Sequence, residues 1–216
     1  MRARAAALAL YFATGCGYGA VSVEGSFDGE RFAPTGTVFA VVDAHVEEAR
    51  PGGGVAVIDR GDPTLQLFFC QPAIDPDVDF AGLGGSEIAQ LRDEVARGDR
   101  VVLRDLSTST LAAGVRLVAD AGRTDFALLV LAGNPPIAAS DSYAELRPLG
   151  RQMSTLLTIE RATVEEGGQV AGALAIARDR AADQPANTAT GSVTLRFDAP
   201  ILHERIGESN LRVLGF

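Results

Sequence analysis

The chain consists of short apolar runs separated by clusters of Gly, Asp and Pro. Aromatic, β-branched and other apolar residues dominate residues 37–43, 65–70 and 126–132, a composition typical of strands. Between residues 193 and 198, Val, Leu and Phe alternate with Thr, Arg and Asp, so one face of this strand is expected in the core and the other in water. The pattern predicts many short strands joined by tight turns.

Further strand patterns complete the set. Their positions are residues 55–59, 100–106, 115–119, 153–164 and 169–178. Asp28-Gly29 lies between two short segments with strand character and predicts a hairpin turn. Gly61-Asp62-Pro63 predicts a second turn, which would separate the strand before it from the strand at residues 65–70.

A helical spacing of apolar residues is clear at one place, Ile88, Leu91 and Val95. Ser86 is predicted as the N-cap of this helix and Gly98 as its end. Weaker helical patterns cover residues 140–149 and 202–206. The predicted fold is therefore mainly β, an antiparallel β-sandwich or barrel with one or two short α-helices.

The first residues have the pattern of an export signal. Arg2 and Arg4 form a basic start, and residues 5–13 form an uncharged apolar run that ends in small residues. The run is too short to span a bilayer as a helix. The sequence therefore predicts a chain that leaves the cytoplasm.

The segment Ala13-Thr14-Gly15-Cys16 resembles the lipobox of bacterial lipoproteins. This resemblance implies that Cys16 is joined to diacylglycerol and becomes the mature N-terminus. Residues 1–15 would then be the signal peptide, residues 16–22 a tether and residues 23–216 one β-rich domain. Gly17 after the lipidated cysteine implies the outer membrane. In the alternative, an ordinary secretory peptide is cut near residue 13 or 20, and the protein is secreted without lipid.

Two further segments support a related resemblance. GSFDGERFAP near the start of the domain and GSVTLRFDAP near its end resemble strand motifs of uncharacterised β-sandwich lipoproteins. The resemblance implies the fold and the envelope location, and it implies no activity.

Charge and composition narrow the range of partners. The chain of 216 residues has 28 acidic against 19 basic residues and a net charge of −9, so a phosphate backbone is not an expected partner. Every basic residue is Arg, which excludes Schiff-base chemistry and a P-loop lysine. No cofactor is predicted.

Two groups of residues are candidate metal ligands. Asp75, Asp77 and Asp79 alternate as calcium ligands do, although a solvated acidic turn has the same spacing. Asp43, His45 and Glu47 would share one face of a continuous strand, where they could hold a divalent metal.

The residues for nucleophilic catalysis are incomplete. A Ser-His-Asp triad would have to use His45 or His203, the two histidines of the chain, and no nucleophile-elbow motif accompanies them. Cys70 follows the apolar run LQLFF, which favours a buried thiol over a reactive one or a disulfide with Cys16.

Two functional hypotheses follow. The first is a lipid-anchored, non-catalytic domain of the cell envelope that binds another envelope protein or has a structural part. The alternative is a carrier or sensor that binds a small apolar ligand inside a barrel or between two sheets.

Overall fold

The computed structural model of the protein describes residues 19–27, 32–49, 55–119, 125–131, 153–178 and 191–214. Two α-helices are present in these ranges, α1 (Gly85–Arg97) and α2 (Glu204–Leu214). The strands are β1 (Ala20–Phe27), β2 (Thr37–Ala49), β3 (Val55–Cys70), β4 (Arg100–Ser107), β5 (Arg116–Ala119), β6 (Ala127–Leu131), β7 (Met153–Ala162), β8 (Gln169–Arg178) and β9 (Gly191–Leu202).

The strands form one strongly bent sheet in the order β5-β7-β8-β9-β2-β3-β4-β6, and β1 is paired with β9. All neighbours are antiparallel except β2 and β9, which run parallel through Ala40↔Ile201 and Val41↔Leu202. At the far ends of the path, the Asp125 N–H just before β6 donates to the Val118 carbonyl of β5 at 2.9 Å. The sheet is therefore a nearly closed barrel, and the prediction of a mainly β fold is confirmed.

The barrel interior is a single apolar core. Inward side chains from all the strands of the path meet there, among them Leu67, Leu103, Leu157 and Leu195, each with no exposed surface. Phe69 of β3 packs edge-on against Phe197 of β9, with ring centroids 5.3 Å apart. These contacts across the barrel join strands that are distant in sequence.

A second apolar core lies outside the barrel, between β2, β3 and β4 and the two helices. Phe39 and Phe68 pack there with ring centroids 5.1 Å apart, against Val95 of α1 and Leu211 of α2. The strands in this region are buried on both faces. This two-sided burial explains why their sequences are continuously apolar rather than alternating.

The structure differs from the local predictions at some positions. β1 pairs along its whole length with β9, and the hairpin turn predicted at Asp28-Gly29 falls on residues 28–31, which lie outside the described part of the chain. Residues 55–70 form one long strand, and the predicted turn at Gly61-Asp62-Pro63 is an irregularity within it, opposite a shift of register in β2. Ala20 already belongs to β1, so the described sheet begins within the predicted tether.

The helix predictions have mixed outcomes. α1 is confirmed, but its N-cap is Gly84 rather than Ser86, and Glu87 Oε2 accepts a hydrogen bond from the Gly84 N–H at 2.8 Å. α2 is longer than the predicted residues 202–206. The helix predicted at residues 140–149 lies outside the described residues.

Candidate functional site

Helix α2 lies directly on β2. β9 ends beside β2, and α2 begins two residues later, so the helix folds back over the outer surface of its parallel neighbour. Gly207 makes the close approach possible, because a Cβ atom there would be 2.4 Å from Cγ2 of Val41. The helix buries one stripe of residues toward the sheet: Gly207, Asn210, Leu211 and Leu214.

This packing creates a cluster of three carboxylates. Asp43 of β2 meets Glu204 and Glu208 of α2, and one carboxylate oxygen from each lies within 4.8 Å of the others. The two glutamates are four residues apart and therefore project from the same side of the helix. All three side chains are half-buried, and each has at least one further interaction within the protein. Such an all-oxygen set has the chemistry that binds Ca²⁺, Mg²⁺ or Mn²⁺.

A surface groove of about 480 Å³ runs along the same helix. It is lined by Ala81, His203, Glu204, Arg205, Glu208, Ser209, Arg212 and Val213. Acidic and basic side chains alternate along it, so the groove has no single sign of charge. Its volume is within the range of small-molecule sites, but its lining is more polar than is usual for them.

His203 marks the start of α2. Its Nδ1 accepts a hydrogen bond from the Arg205 N–H at 3.3 Å, which makes His203 the N-cap of the helix. Its Nε2 lies 3.6 Å from Oε1 of Glu166 in the turn between β7 and β8. These contacts give His203 a capping role. Neither contact is with a serine or cysteine that the imidazole could activate as a nucleophile.

The loop with Asp75, Asp77 and Asp79 is held by hydrogen bonds within the protein. Asp75 Oδ1 accepts from the Asp77 N–H at 3.1 Å, and Asp79 Oδ1 accepts from the Ala81 N–H at 3.0 Å. Ser209 of α2 also donates to Asp79 Oδ1, at 2.9 Å. The three aspartates do not form a convergent ligand group with one another, whereas Asp43, Glu204 and Glu208 do. The first and last aspartates stabilise turns instead.

The remaining predicted residues divide into two groups. Of the set Asp43, His45 and Glu47, the structure describes the side chain of Asp43 and the strand backbone of the other two, whose side chains lie outside the described part. Cys16 also lies outside the described residues. Metal binding by Asp43, His45 and Glu47 and lipidation of Cys16 therefore stay predictions.

Cys70 has the environment expected from its apolar run. It is fully buried between the sheet and the helices, and its thiol donates to the Pro72 carbonyl at 3.2 Å. Burial raises the pKa of the Cys70 thiol to about 12, despite the opposing effects of Thr37 and Arg100. A thiol that stays protonated at neutral pH is a poor nucleophile, so the prediction of a structural cysteine is confirmed.

A small cluster of hydroxyl groups surrounds Asp62. Ser107 donates to Asp62 Oδ2 at 2.5 Å, and Ser109 donates to the same oxygen at 3.3 Å. The cluster is exposed and contains no histidine, and it joins the irregular segment of β3 to the end of β4. We interpret it as a turn-stabilising network.

The sequence predictions included Asp43 but not Glu204 or Glu208. The signal in the sequence was a pair of acidic residues at helical spacing. What brings that pair to Asp43 is the parallel pairing of β2 with β9, in which Val41↔Leu202 places residue 43 close to the start of α2. Nothing in the local sequence predicts that pairing.

Comparison of the chain with protein-family models, with curated proteins and with solved structures gives no match. Within the described ranges, neither helix has the length and apolar character needed to cross a bilayer.

Proposed function

We propose that this protein is a lipid-anchored domain of the bacterial cell envelope, attached through Cys16, with a binding or structural function rather than a catalytic one. The observation that carries the proposal is the leader that ends in Ala13-Thr14-Gly15-Cys16. A basic start, an apolar run and small residues are the pattern of an export signal, and the cysteine that follows them adds the resemblance to a lipobox.

The start of the fold is compatible with such an anchor. β1 begins at Ala20 and is paired with β9 from its first residue, through Ala20↔Asp198. Four residues of extended chain reach at most about 14 Å, so lipid on Cys16 would hold this end of the barrel close to the membrane. Acyl chains contribute about 0.8 kcal/mol per buried CH₂, which makes a di- or triacylated anchor effectively permanent.

The filled interior of the barrel favours this proposal over the carrier hypothesis. The inward residues of the described strands form one contiguous apolar cluster, and most of them have no exposed surface. A carrier of an apolar ligand needs a cavity bounded by such residues. Side chains occupy that space in the described part of the barrel.

The candidate catalytic groups also favour a non-catalytic function. The contacts of His203 cap a helix, Cys70 is buried and protonated, and the Asp62 cluster is exposed and contains no histidine. The described contacts of His203 and Cys70 do not pair a nucleophile with a general base, and the Asp62 cluster lacks the histidine of a Ser-His-Asp triad. A broad hydrolase screen should therefore give no turnover, and turnover that is lost in His203→Ala would contradict this part of the proposal.

Lipidation is tested by expressing the full chain in a bacterial host with a clickable fatty acid and separating membranes from soluble protein. We expect the wild-type chain to incorporate the label and to sediment with membranes. Cys16→Ala should lose the label and leave the membrane fraction. Cys70→Ala is the matched control, because it removes the other cysteine of the chain and should keep both properties.

The mass of the purified protein gives an independent test. The expected mature chain begins at Cys16 and has the added mass of its acyl groups. An intact leader, an unmodified thiol at this position or a label retained in Cys16→Ala would overturn the proposal. Cleavage after residue 13 or near residue 20 would support the secreted alternative.

A further inference from the structure

The barrel has two very different sides. The helices cover the outer surface of β2, β3 and β4 and form the second core there. Of the helices that the structure describes, neither packs on the outer surface of β5, β7, β8 and β9. We call this surface the open face and define it by its outward residues: Val118, Leu156, Thr158, Glu160, Arg161, Ala171, Ala173, Ala175, Ala177, Thr194, Arg196 and Asp198.

The open face is smooth and weakly polar at its centre. Strand register aligns Val118, Leu156, Ala175 and Thr194 in one row across four strands. These side chains are half-buried by their neighbours and lie outside the core clusters. Alanine is depleted in strands, where solvent-facing positions usually carry larger β-formers. Along β8, however, the outward residues are Ala171, Ala173, Ala175 and Ala177, a line of small side chains that allows another sheet to approach closely.

One end of the open face carries two cross-strand ion pairs. Arg161 Nη2 of β7 lies 2.9 Å from Asp198 Oδ2 of β9, and Arg196 Nη1 of β9 lies 3.8 Å from Glu160 Oε1 of β7. Each pair thus has one member on β7 and one on β9. The two strands lie on either side of β8 and its line of outward alanines. All four side chains are more than a third exposed and accessible to a partner.

We propose that the open face binds the open face of a second copy of this chain, related by a two-fold axis that runs along β8. Such an axis places β7 of one copy over β9 of the other. Glu160 then faces the partner's Arg196, and Arg161 faces the partner's Asp198. The charges are therefore complementary across the interface as well as within each copy, and the interface is isologous.

The position of the axis agrees with the distribution of side-chain size. The small side chains of β8 lie on the axis, where the two sheets come closest, and the longer side chains of β7 and β9 lie to either side. A polar rim around a smoother, less polar centre is the usual anatomy of a protein interface. An axis across the strands would instead stack the charged end of one copy on the uncharged end of the other.

The same axis is compatible with attachment to one membrane, a point that rests on the proposed function. Rotation about an axis parallel to the strands keeps the strand directions of both copies. The starts of both β1 strands, each beside Asp198, therefore lie at the same end of the dimer. Two anchored chains can then insert their lipids in a single bilayer.

Site-specific crosslinking of the full-length chain in isolated membranes tests the inference. Ala175→Cys places a thiol on the proposed axis, and a bismaleimide reagent can span the roughly 10 Å between face-to-face sheets. We expect a crosslinked dimer from Ala175→Cys and none from Glu94→Cys, an exposed position on α1. The unaltered chain reports any background from its own cysteines.

A charge-exchange experiment separates this geometry from nonspecific contact. Two differently tagged copies, both with Ala175→Cys, carry Glu160→Arg in one and Arg196→Glu in the other. Each homodimer then opposes like charges, whereas the mixed dimer opposes unlike charges at both places. We expect crosslinked heterodimer in excess of its statistical share and less homodimer than from Ala175→Cys alone.

Absence of crosslinked dimer from Ala175→Cys, or heterodimer at its statistical share, would overturn the inference. Each altered chain has the same internal charge clash in both kinds of dimer, so a folding defect cannot produce the excess. Membrane sedimentation of the same samples reports the anchor separately. Membrane-bound protein without crosslinks would remove the dimer alone, and crosslinked protein in the soluble fraction would remove the anchor alone.

Discussion

Asn210 of α2 accepts a hydrogen bond from the backbone N–H of Phe80 at 2.8 Å, although the two residues are 130 positions apart. The amide nitrogen of Asn210 donates to the carbonyls of Pro76 and Val78 at 2.8 and 2.9 Å. The side chain is fully buried. One amide therefore ties the acidic loop before α1 to the C-terminal helix.

Asn210→Ala should strongly destabilise the protein. The substitution leaves the Phe80 N–H and two carbonyls without their partner in a buried place, and we expect the free energy of unfolding to fall by about 2–4 kcal/mol. Chemical denaturation measures the change. Ser209→Ala, which removes one partly exposed hydrogen bond to Asp79, is the control and should cost much less. Equal effects of the two substitutions would contradict the role of Asn210 in joining the acidic loop to α2.

Gly207→Ala should destabilise the protein although alanine is the better helix former. The new Cβ would lie 2.4 Å from Cγ2 of Val41, so α2 must move away from β2. We expect a loss of about 1–3 kcal/mol, as for other overpacked cores. Thermal or chemical unfolding reports it.

Two controls accompany the Gly207 substitution. Gly85→Ala, in the first turn of α1, has open space around the new atom and should leave stability unchanged or slightly raised. Val41→Ala removes the atoms that clash, so the double variant with Gly207→Ala should be more stable than the sum of the single effects predicts. Additive effects would show that the contact is not the cause.

Cys70 should make stability depend on alkaline pH. The pKa of the thiol is raised from 9.0 to about 12 in the folded protein because of burial. The unfolded chain therefore releases this proton first, so the stabilising contribution is complete below pH 9.0 and is lost as the pH rises toward about 12. The free energy of unfolding of the wild type should fall over this range more steeply than that of Cys70→Ala.

The buried environment of Cys70 also predicts that its thiol reacts slowly in the folded protein. A thiol-specific reagent at pH 8 should modify Cys70 slowly in the folded protein and rapidly after denaturation. The experiment uses Cys16→Ala, which leaves Cys70 as the one thiol. Rapid modification of the folded protein would show that this part of the second core opens.

Asp105 has a left-handed backbone conformation, with φ of 60°, in the part of β4 where its register with β3 shifts. Its side chain is exposed, so a substitution there acts mainly through the backbone. Asp105→Val should lower the free energy of unfolding by about 1–2 kcal/mol despite the high strand propensity of valine. Asp105→Gly should preserve or raise it. The opposite order would mean that the side chain, not the backbone, decides.

The sequence predicts the strands better than it predicts their partners. The apolar runs at residues 37–43, 65–70 and 100–106 correspond to β2, β3 and β4, because burial on both faces leaves a clear local pattern. The pairing of β1 with β9 joins the two ends of the domain, and no short-range signal encodes it. The local signal at Asp28-Gly29 predicts only a hairpin turn, on residues outside the described ranges, and it does not indicate β9 as a partner.

Helix α2 shows a different limit. Its buried stripe has ideal helical spacing, but two of its four members are Gly207 and Asn210. Neither residue counts as apolar in a periodicity search, so the sequence indicated a much shorter helix. The reasons for both residues are tertiary, since one allows close approach to β2 and the other binds the loop at residues 76–80. The cluster of Asp43, Glu204 and Glu208 is likewise a product of tertiary packing, so the local sequence does not predict it.

Strand β9 pairs with β8 and β1 along most of its length and with β2 through its last residues. In the sequence it follows all the other described strands. The core of the barrel cannot be enclosed until β9 has emerged from the ribosome or from a translocation channel. A chain that ended at residue 190 would retain the hairpins of β2 with β3 and of β7 with β8 but would lack the strand that joins them, so the enclosed core forms only once residues 191–202 have been added.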